Sequence, residues 1–185
     1  MVADSRAASG HDRPGIGRLE SIGAALAAAL LLGACTTMGG GTAAAVPVNQ
    51  GQAASLVNQF RADHGVRPVG TDGRVVSAAS AGATAMARRN AMSHSTGGKA
   101  TKRLGAAGYS WSIVVENIGE GYGSLGDAMA GWEHSPGHRK NLLNPQVTDL
   151  GVAAAATASH GKQRIYWTLV MAAPRDDTRL ATLPH

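Results

Sequence analysis

The chain has 185 residues and a formal net charge of +5, with 44% hydrophobic and 16% charged residues. This composition excludes a disordered chain and a chain embedded in a membrane along its whole length. The positive charge suits an anionic lipid or wall surface. No basic stripe with interleaved aromatic residues indicates nucleic-acid binding, so we expect no nucleic-acid partner.

The first 34 residues have the layout of an export signal. A short apolar run over residues 22–32 is preceded by two arginines and followed by small residues and Cys35, the only cysteine. A spanning helix needs about 20 apolar residues, so the run predicts a cleaved signal peptide over residues 1–34. Residues 32–35 (LGAC) resemble the lipobox of bacterial lipoproteins, in which the cysteine is acylated, for example with palmitate. The alternative is that Cys35 is a small buried side chain.

These features predict an exported protein that is anchored to a cell-envelope membrane through a lipid on Cys35. It would face the periplasm or the outside of the cell. A single cysteine allows no intramolecular disulfide, so the folded part must be stable through its core alone.

The rest of the chain predicts one domain between two less ordered segments. Residues 36–49 are rich in Gly, Ala and Thr and predict a flexible tether, after which the domain extends over residues 50–173. Apolar residues at helical spacing predict a first helix over residues 53–64 and a second over residues 75–92. The polar tail over residues 174–185 is expected to be loosely ordered.

Shorter elements follow the second helix. A short helix is closed by Gly108, and the β-branched stretch over residues 111–118 is expected to be extended. Residues 125–134 predict another helix, which Pro136 interrupts. Ser135 before this proline suits the N-cap of a new helical turn.

Two strands close the domain, over residues 150–157 and 165–171, and a glycine-containing segment joins them as a hairpin. In the second strand, Trp167, Leu169 and Met171 share one face because strand side chains alternate. Helices grouped first and strands later predict an α+β layered domain without internal repeats.

Five segments form an ordered set of motifs. They are LVNQFRADHGVRPV, MARRNAMSHS, AAGYSWSIVVENIGEG, AMAGWEHSPGHRKNLLNP and the closing pair LGVAAAA and YWTLVMA, which together span about residues 53–172. The ENI and WxxSPGH elements are specific in combination. The chain therefore resembles the CAP superfamily, which includes cysteine-rich secretory proteins, venom allergens, plant pathogenesis-related proteins and bacterial SCP-like domains. The resemblance implies a three-layer α-β-α sandwich with a central cleft.

The resemblance also implies a site. The cleft histidines of the family match His94, in SHS, and His138, in SPGH, and its first cleft glutamate matches Glu116, in EN. Many animal members carry a second glutamate three residues after the tryptophan. That position is Ser135 here, and Glu133 lies off register, so the four-residue set is incomplete.

Two imidazoles and a carboxylate are ligand types that hold a divalent metal, zinc above all, with positions left for water. His94, Glu116 and His138 are far apart in sequence, so only the fold can bring them together. Without the resemblance, each histidine would be an ordinary surface or core residue. We expect a shared cleft and leave metal binding open.

Neighbouring residues are assigned structural roles. Asn117 is expected to satisfy backbone groups in a buried turn, and Trp132 is expected in the core near the cleft. His134 and His138 form HxxxH, but Pro136 interrupts a common helix, so we expect His134 in solvent.

Three weaker patterns have ordinary explanations. Residues 121–126 (GYGSLG) fit GxGxxG only formally and predict a flexible cleft loop. Ser124 and Ser135 lack a nucleophile-elbow context and are expected to be a turn serine and a helix cap. A solvated basic surface is the default for four residues, Lys102, Arg103, Arg139 and Lys140.

Three functions remain open. The leading hypothesis is a non-catalytic or weakly catalytic binding module, with or without a metal in its cleft, for an envelope or extracellular ligand such as lipid, wall material or a protein. The first alternative is a metal-assisted hydrolase in which His94 and His138 hold a divalent ion and Glu116 acts as base toward bound water. The second is a structural interaction lipoprotein with a vestigial cleft.

Overall fold

The computed structural model describes residues 42–157 and 163–175. The predicted signal peptide, Cys35 and the tail beyond residue 175 lie outside this part. The described helices are α1 (Gln50–Ala62), α2 (Gly73–Arg89), α3 (Ala100–Ala106), α4 (Leu125–His134) and α5 (Pro136–Leu142). The described strands are β1 (Ala43–Val46), β2 (Gly70–Thr71), β3 (Trp111–Glu120), β4 (Asp149–Thr157) and β5 (Ile165–Pro174). No helix within these ranges has the length and apolarity that a membrane crossing requires.

The strands form one sheet in the order β1-β4-β5-β3. These three pairings are antiparallel, and β2 adds a two-residue parallel pairing to β4. The predicted pairing of the last two strands is therefore confirmed. Strand β3 lies at one edge of the path and pairs with β5 from Trp111 to Glu120.

Helices cover both faces of the sheet. Helices α1, α4 and α5 pack with large side chains on one face, which include Phe60, Trp132 and Trp167. Helices α2 and α3 pack on the other face, where alanines predominate. The α+β, three-layer α-β-α sandwich is confirmed. The shared face of Trp167, Leu169 and Met171 on β5 is also confirmed.

The two long helices begin at side-chain caps. Asn49 Oδ1 accepts from Gln52 N at 3.0 Å at the start of α1, and Asp72 accepts from the backbone of residues 74 and 75 at the start of α2. Helix α2 ends at Arg89, three residues before the predicted end. Asn90 follows in the left-handed conformation (φ 47°), which stops the helix and turns the chain toward the cleft.

Part of the predicted tether is ordered. Residues 43–46 form β1, with Ala43 opposite Thr157 and Val46 opposite Ala154. The small side chains fit against the alanine-rich β4, and the pairing satisfies backbone groups that would otherwise form an open edge. At the other end, Pro174 still belongs to β5, and Arg175 N donates to Ser110 O at 3.0 Å. The sheet therefore includes residues on both sides of the predicted range of residues 50–173.

A buried arginine joins α1 to the end of α5. Arg61 is fully buried, although sequence reasoning did not single it out. It donates to Leu142 O at 2.6 Å and Asn144 O at 3.0 Å, and also to Arg67 O at 2.7 Å. Burial lowers the pKa of Arg61. The carbonyls at the C-terminus of α5 favour a cation, so this contact fixes the helix that carries His138.

Candidate functional site

A cleft of about 620 Å³ opens where four parts of the fold meet. The loop after α2, the start of α3, the strand β3 and the helix α5 contribute its lining, which is Met92, Ser93, His94, Ser95, Lys99, Ala100, Glu116, Ile118 and His138. The three residues that the sequence proposed for a site are thus brought together. A larger groove of about 800 Å³ runs along the outer side of α2, and its described lining contains no histidine or carboxylate.

Turns after α2 position His94. Ser95 N donates to Ser93 Oγ at 3.2 Å, and Thr96 N donates to Ser93 O at 3.1 Å. Gly97 follows with φ +76°, and a Cβ there would overlap Ala85 on α2. The loop is therefore held close against α2 at a position that only glycine readily occupies. His94 keeps 59% of its side-chain surface exposed.

Glu116 is the buried partner of His94. Its side chain is 8% exposed, and its Oε2 lies 2.9 Å from His94 Nδ1. Glu116 lies on the face of β3 that carries Val114 and Ile118, the side covered by α2 and α3. A carboxylate oxygen accepts a hydrogen bond from a ring N–H, so the contact orients the imidazole at the cleft.

Arg103 holds the other oxygen of Glu116. Its Nη2 donates to Glu116 Oε1, its Nη1 to Gly98 O and its Nε to Ala78 O, the last at 3.0 Å. The Arg103 side chain is 4% exposed, so the expectation of a solvated basic residue was wrong. The guanidinium fits because α2 has a glycine opposite it: a Cβ on Gly82 would lie 2.9 Å from Nη2.

A signal for this arginine was present in the sequence. Ala100, Arg103 and Leu104 are the buried residues of α3, and their spacing marks one face of a helix. Arg103 therefore occupies an inward position. A glycine in the middle of α2, which costs helical stability, was the matching sign that something approaches that helix closely.

His138 reaches the cleft from the opposite layer, as the third residue of α5. Burial lowers the pKa of His138, and repulsion from His94 lowers it further. The neutral imidazole is therefore favoured. A neutral ring has a nitrogen lone pair with which it can accept a hydrogen bond or bind a metal.

Side chains from α4 and α5 cover the open edge of β3. Trp132 Nε1 donates to Ile118 O at 3.1 Å, and Asn141 Nδ2 donates to Glu116 O at 3.1 Å. Asn117 is fully buried and donates to His138 O at 3.1 Å, while its Oδ1 accepts from Asn141 at 2.9 Å. The sequence placed Asn117 in a buried turn, but it lies on β3 and satisfies a backbone carbonyl of α5. This hydrogen bond links His138 to the strand that carries Glu116.

The remaining candidates lie outside the cleft lining. Ser135 occupies the N-cap position of α5 but makes no side-chain cap bond. His134 is exposed, with Nδ1 2.7 Å from Ala130 O. Ser124 caps α4, since its Oγ accepts from Asp127 N at 3.1 Å. The last two observations agree with the predictions of a solvent-exposed histidine and of an ordinary serine.

The GYGSLG segment is not part of the described cleft lining. Tyr122 packs closely over two glycines, and a Cβ on Gly119 would lie 2.7 Å from its ring. Gly131 on α4 leaves the space for the other side of the ring. Tyr122 O also accepts from Trp167 Nε1 at 2.9 Å. The expected flexible cleft loop is therefore a packed turn, because the aromatic side chain fixes it to β3 and α4.

The donor atoms fit a metal only in part. Among residues 42–157 and 163–175, no group of three or more His, Cys, Asp or Glu side chains is arranged to hold a metal ion. Each oxygen of Glu116 already has one partner, Arg103 or His94, so the carboxylate is engaged in positioning these side chains. His94 Nε2 and the ring of His138 remain, and two imidazoles with solvent ligands suit zinc.

Comparisons with known proteins agree with this architecture. The family described as CAP, the cysteine-rich secretory protein family, matches residues 54–171. YkwD of Bacillus subtilis (strain 168) is 31% identical over 106 residues, which are 56% of this chain and 41% of YkwD. The structure of an extracellular protein containing a SCP domain from Bacillus anthracis str. Ames aligns with a TM-score of 0.57 and 29% identity, over 66% of this chain and 39% of that one.

The chain thus spans about two fifths of the length of each of these two relatives. An outer surface protein from Borrelia burgdorferi shares the fold, with a TM-score of 0.62 and 15% identity over 71% of this chain and 98% of that one. The family match includes His94, Glu116 and His138 and covers more than half of the residues. The chain belongs to the CAP family of cysteine-rich secretory proteins.

Proposed function

We propose that this chain is an exported lipoprotein whose CAP domain binds an envelope or extracellular ligand, such as lipid, wall material or a protein, in the cleft of His94, Glu116 and His138. The observation that carries the proposal is the convergence of these residues from a loop, a strand and a helix on one cleft of about 620 Å³. A cleft of this size with a few convergent polar groups is typical of a ligand site.

The state of Glu116 favours binding over hydrolysis. A general base must direct one of its lone pairs at the water that it activates, whereas a carboxylate that positions other side chains directs its oxygens at them. Here one carboxylate oxygen accepts from Arg103 and the other faces His94 at 2.9 Å. The cleft serines, Ser93 and Ser95, hydrogen-bond to each other at 2.9 Å rather than to a described histidine.

A divalent metal, with zinc as first choice, would be held by His94 Nε2 and a ring nitrogen of His138. The lowered pKa of His138 supports this assignment, because a metal binds the neutral imidazole. When bound, the metal would supply a positively charged centre for an anionic or oxygen-rich group of the ligand. The histidines would hold it, and Glu116 would orient one of them.

The metal test compares wild type with a His94→Ala, His138→Ala double variant, using elemental analysis and calorimetric zinc titration of the purified full chain. His134→Ala is the matched control, since this histidine is exposed and outside the cleft lining. We expect one zinc in wild type and in the control, and none in the double variant. Absence of zinc from wild type would overturn the proposed metal site and direct the search to lipid and wall-polymer binding.

The same proteins test the alternatives. Peptide hydrolysis that needs metal and is lost in the double variant would replace the binding module by a hydrolase. Binding of lipid vesicles or wall material that the double variant retains would instead favour a structural lipoprotein with a vestigial cleft.

The lipid anchor is tested by palmitate labelling in a bacterial host. Cys35 is the only cysteine, so acylation of any other thiol in this chain is excluded. Export is supported by the description of the Bacillus anthracis relative as an extracellular protein. We expect labelled protein in the membrane fraction, and loss of both the label and the membrane association in Cys35→Ser. Unlabelled wild type would overturn the anchor and leave the cleft proposal intact.

A further inference from the structure

We propose that Arg103 is a positioning residue of the cleft: through Glu116 it fixes the tautomer of His94 and directs the Nε2 lone pair toward the ligand. This inference rests on the proposed binding role of the cleft. It assigns a function to a residue that does not itself line the cleft. Three observations carry it, namely the hydrogen bonds of the guanidinium, the burial of the ion pair and the space left by a glycine.

The guanidinium is held in one orientation. Its Nε donates to Ala78 O on α2, its Nη1 to Gly98 O in the loop, and its Nη2 to Glu116 Oε1. These donors lie in a rigid planar fork, so fixing two of them fixes the third. The donor that meets Oε1 of Glu116 is therefore positioned by α2 and the loop, not by solvent.

Burial makes the pairing hard to rearrange. The side chains of Arg103 and Glu116 are 4% and 8% exposed. A buried charge that loses its partner is strongly destabilising, so neither group is expected to leave the other. With Oε1 occupied by Arg103, Oε2 is the oxygen that faces His94.

The proton on His94 then has a defined place. An ionised carboxylate only accepts hydrogen bonds, so the ring nitrogen 2.9 Å from Oε2 must be the one that carries the proton. In the neutral ring, Nδ1–H therefore points at Glu116 and Nε2 has the lone pair. Histidines that bind metals commonly donate their second ring nitrogen to a carboxylate in this way.

The surroundings of Arg103 are specific for its shape. A Cβ on Gly82 would lie 2.9 Å from Nη2 and 3.0 Å from Cζ, so the guanidinium lies against the bare backbone of α2. A lysine would offer one compact ammonium and could not reach Ala78 O, Gly98 O and Glu116 together. The inward face of α3 therefore requires an arginine rather than any cation.

The test is nitrogen-15 NMR of the imidazoles in the metal-free full chain at one near-neutral pH. We expect the Nδ1–H tautomer for His94 in wild type, and a mixture of tautomers in Arg103→Gln. Lys102→Gln is the matched control, because it makes the same charge change on the adjacent exposed side chain and should leave the His94 spectrum unchanged. We also expect zinc affinity to weaken about 10- to 100-fold in Arg103→Gln only.

A proton on Nε2 of His94 in wild type would overturn the inference. A folded Arg103→Gln variant with an unchanged His94 spectrum would do the same. If that variant fails to fold, Arg103→Lys retains the charge and is expected to show the same mixture of tautomers. The tautomer is measured without metal. A failure of zinc to bind wild type would therefore overturn the proposed metal site, while the His94 spectrum would still decide the role of Arg103.

Discussion

The two faces of the sheet are packed by opposite means. Beneath α1, α4 and α5, large side chains such as Trp132 and Trp167 fill the space. Beneath α2 and α3 the core contains many alanines, and the backbone of α2 comes so close to β4 that a Cβ on Gly151 would lie 2.6 Å from Val76 Cα. The contrast shows that one face is filled by large side chains and the other by a close approach of the helix backbone to the sheet.

The substitution expected to have the largest effect on stability is Trp132→Ala on the large-residue face. Trp132 is fully buried and donates to Ile118 O, so its loss leaves a cavity and an unpaired carbonyl. We expect the free energy of unfolding to fall by about 3–5 kcal/mol, measured by urea denaturation. Trp111→Ala, at a partly exposed position, should cost clearly less. A Trp132→Ala loss no larger than that of Trp111→Ala, whose side chain packs against the other core, would show that the large-residue face does not depend on its buried aromatic residue.

The small-residue face is tested by Gly151→Ala. The added methyl would overlap the backbone of Val75 and Val76, so α2 must shift away from the sheet. We expect a loss of about 1–3 kcal/mol in the same assay. The control is Gly105→Ala on α3, where a Cβ meets nothing within 4 Å. There the better helix former should stabilise by about 0.5–1 kcal/mol. A neutral Gly151→Ala would contradict the close approach.

The smallest expected effect on stability comes from the charge of Asp72, which caps α2, whereas α1 has the uncharged cap Asn49. The Arg74 guanidinium lowers the pKa of the Asp72 carboxyl below its ordinary value of 3.8. Ionised Asp72 therefore stabilises the fold when the pH is above 3.8, and this contribution to the free energy of unfolding is lost as the pH falls through the lowered pKa. Asp72→Asn retains a cap without the charge.

We expect this variant to be less stable than wild type by under about 1 kcal/mol near neutral pH. The difference should disappear in strong acid. Asn49→Ala, at the uncharged cap of α1, should instead lower the free energy of unfolding by about 1 kcal/mol both near neutral pH and in acid. A gap for Asp72→Asn that persists at low pH would refute the role of the charge.

Much of the fold could be predicted where the hydrophobic pattern has a clear period. The buried apolar positions of α1 and the shared face of Trp167, Leu169 and Met171 on β5 follow from spacings of three to four and of two residues. The alanine-rich strand β1 has no such period, and it is ordered only because β4 offers it an edge. The end of α2 at Asn90 was readable in principle, since asparagine tolerates the left-handed conformation.

The candidate site could be predicted in its location but not in its bonding. The motif resemblance indicated His94, Glu116 and His138, and the fold brings them together. It did not indicate Arg103, because charge alone predicts exposure, and the spacing of Arg103 with Ala100 and Leu104 did not show which groups it would contact. For the same reason, the contacts of Glu116 with Arg103 and His94 were not readable from residue types.

The capped edge of β3 also bears on the solubility of the protein. An edge strand of ten residues with free carbonyls is a template on which another chain can form a cross-β pairing. On β3, Trp132 and Asn141 occupy two of these carbonyls, and the opposite edge strand, β1, is only four residues long. We therefore expect the same side chains that hold the cleft together to hinder pairing of a second chain with this edge.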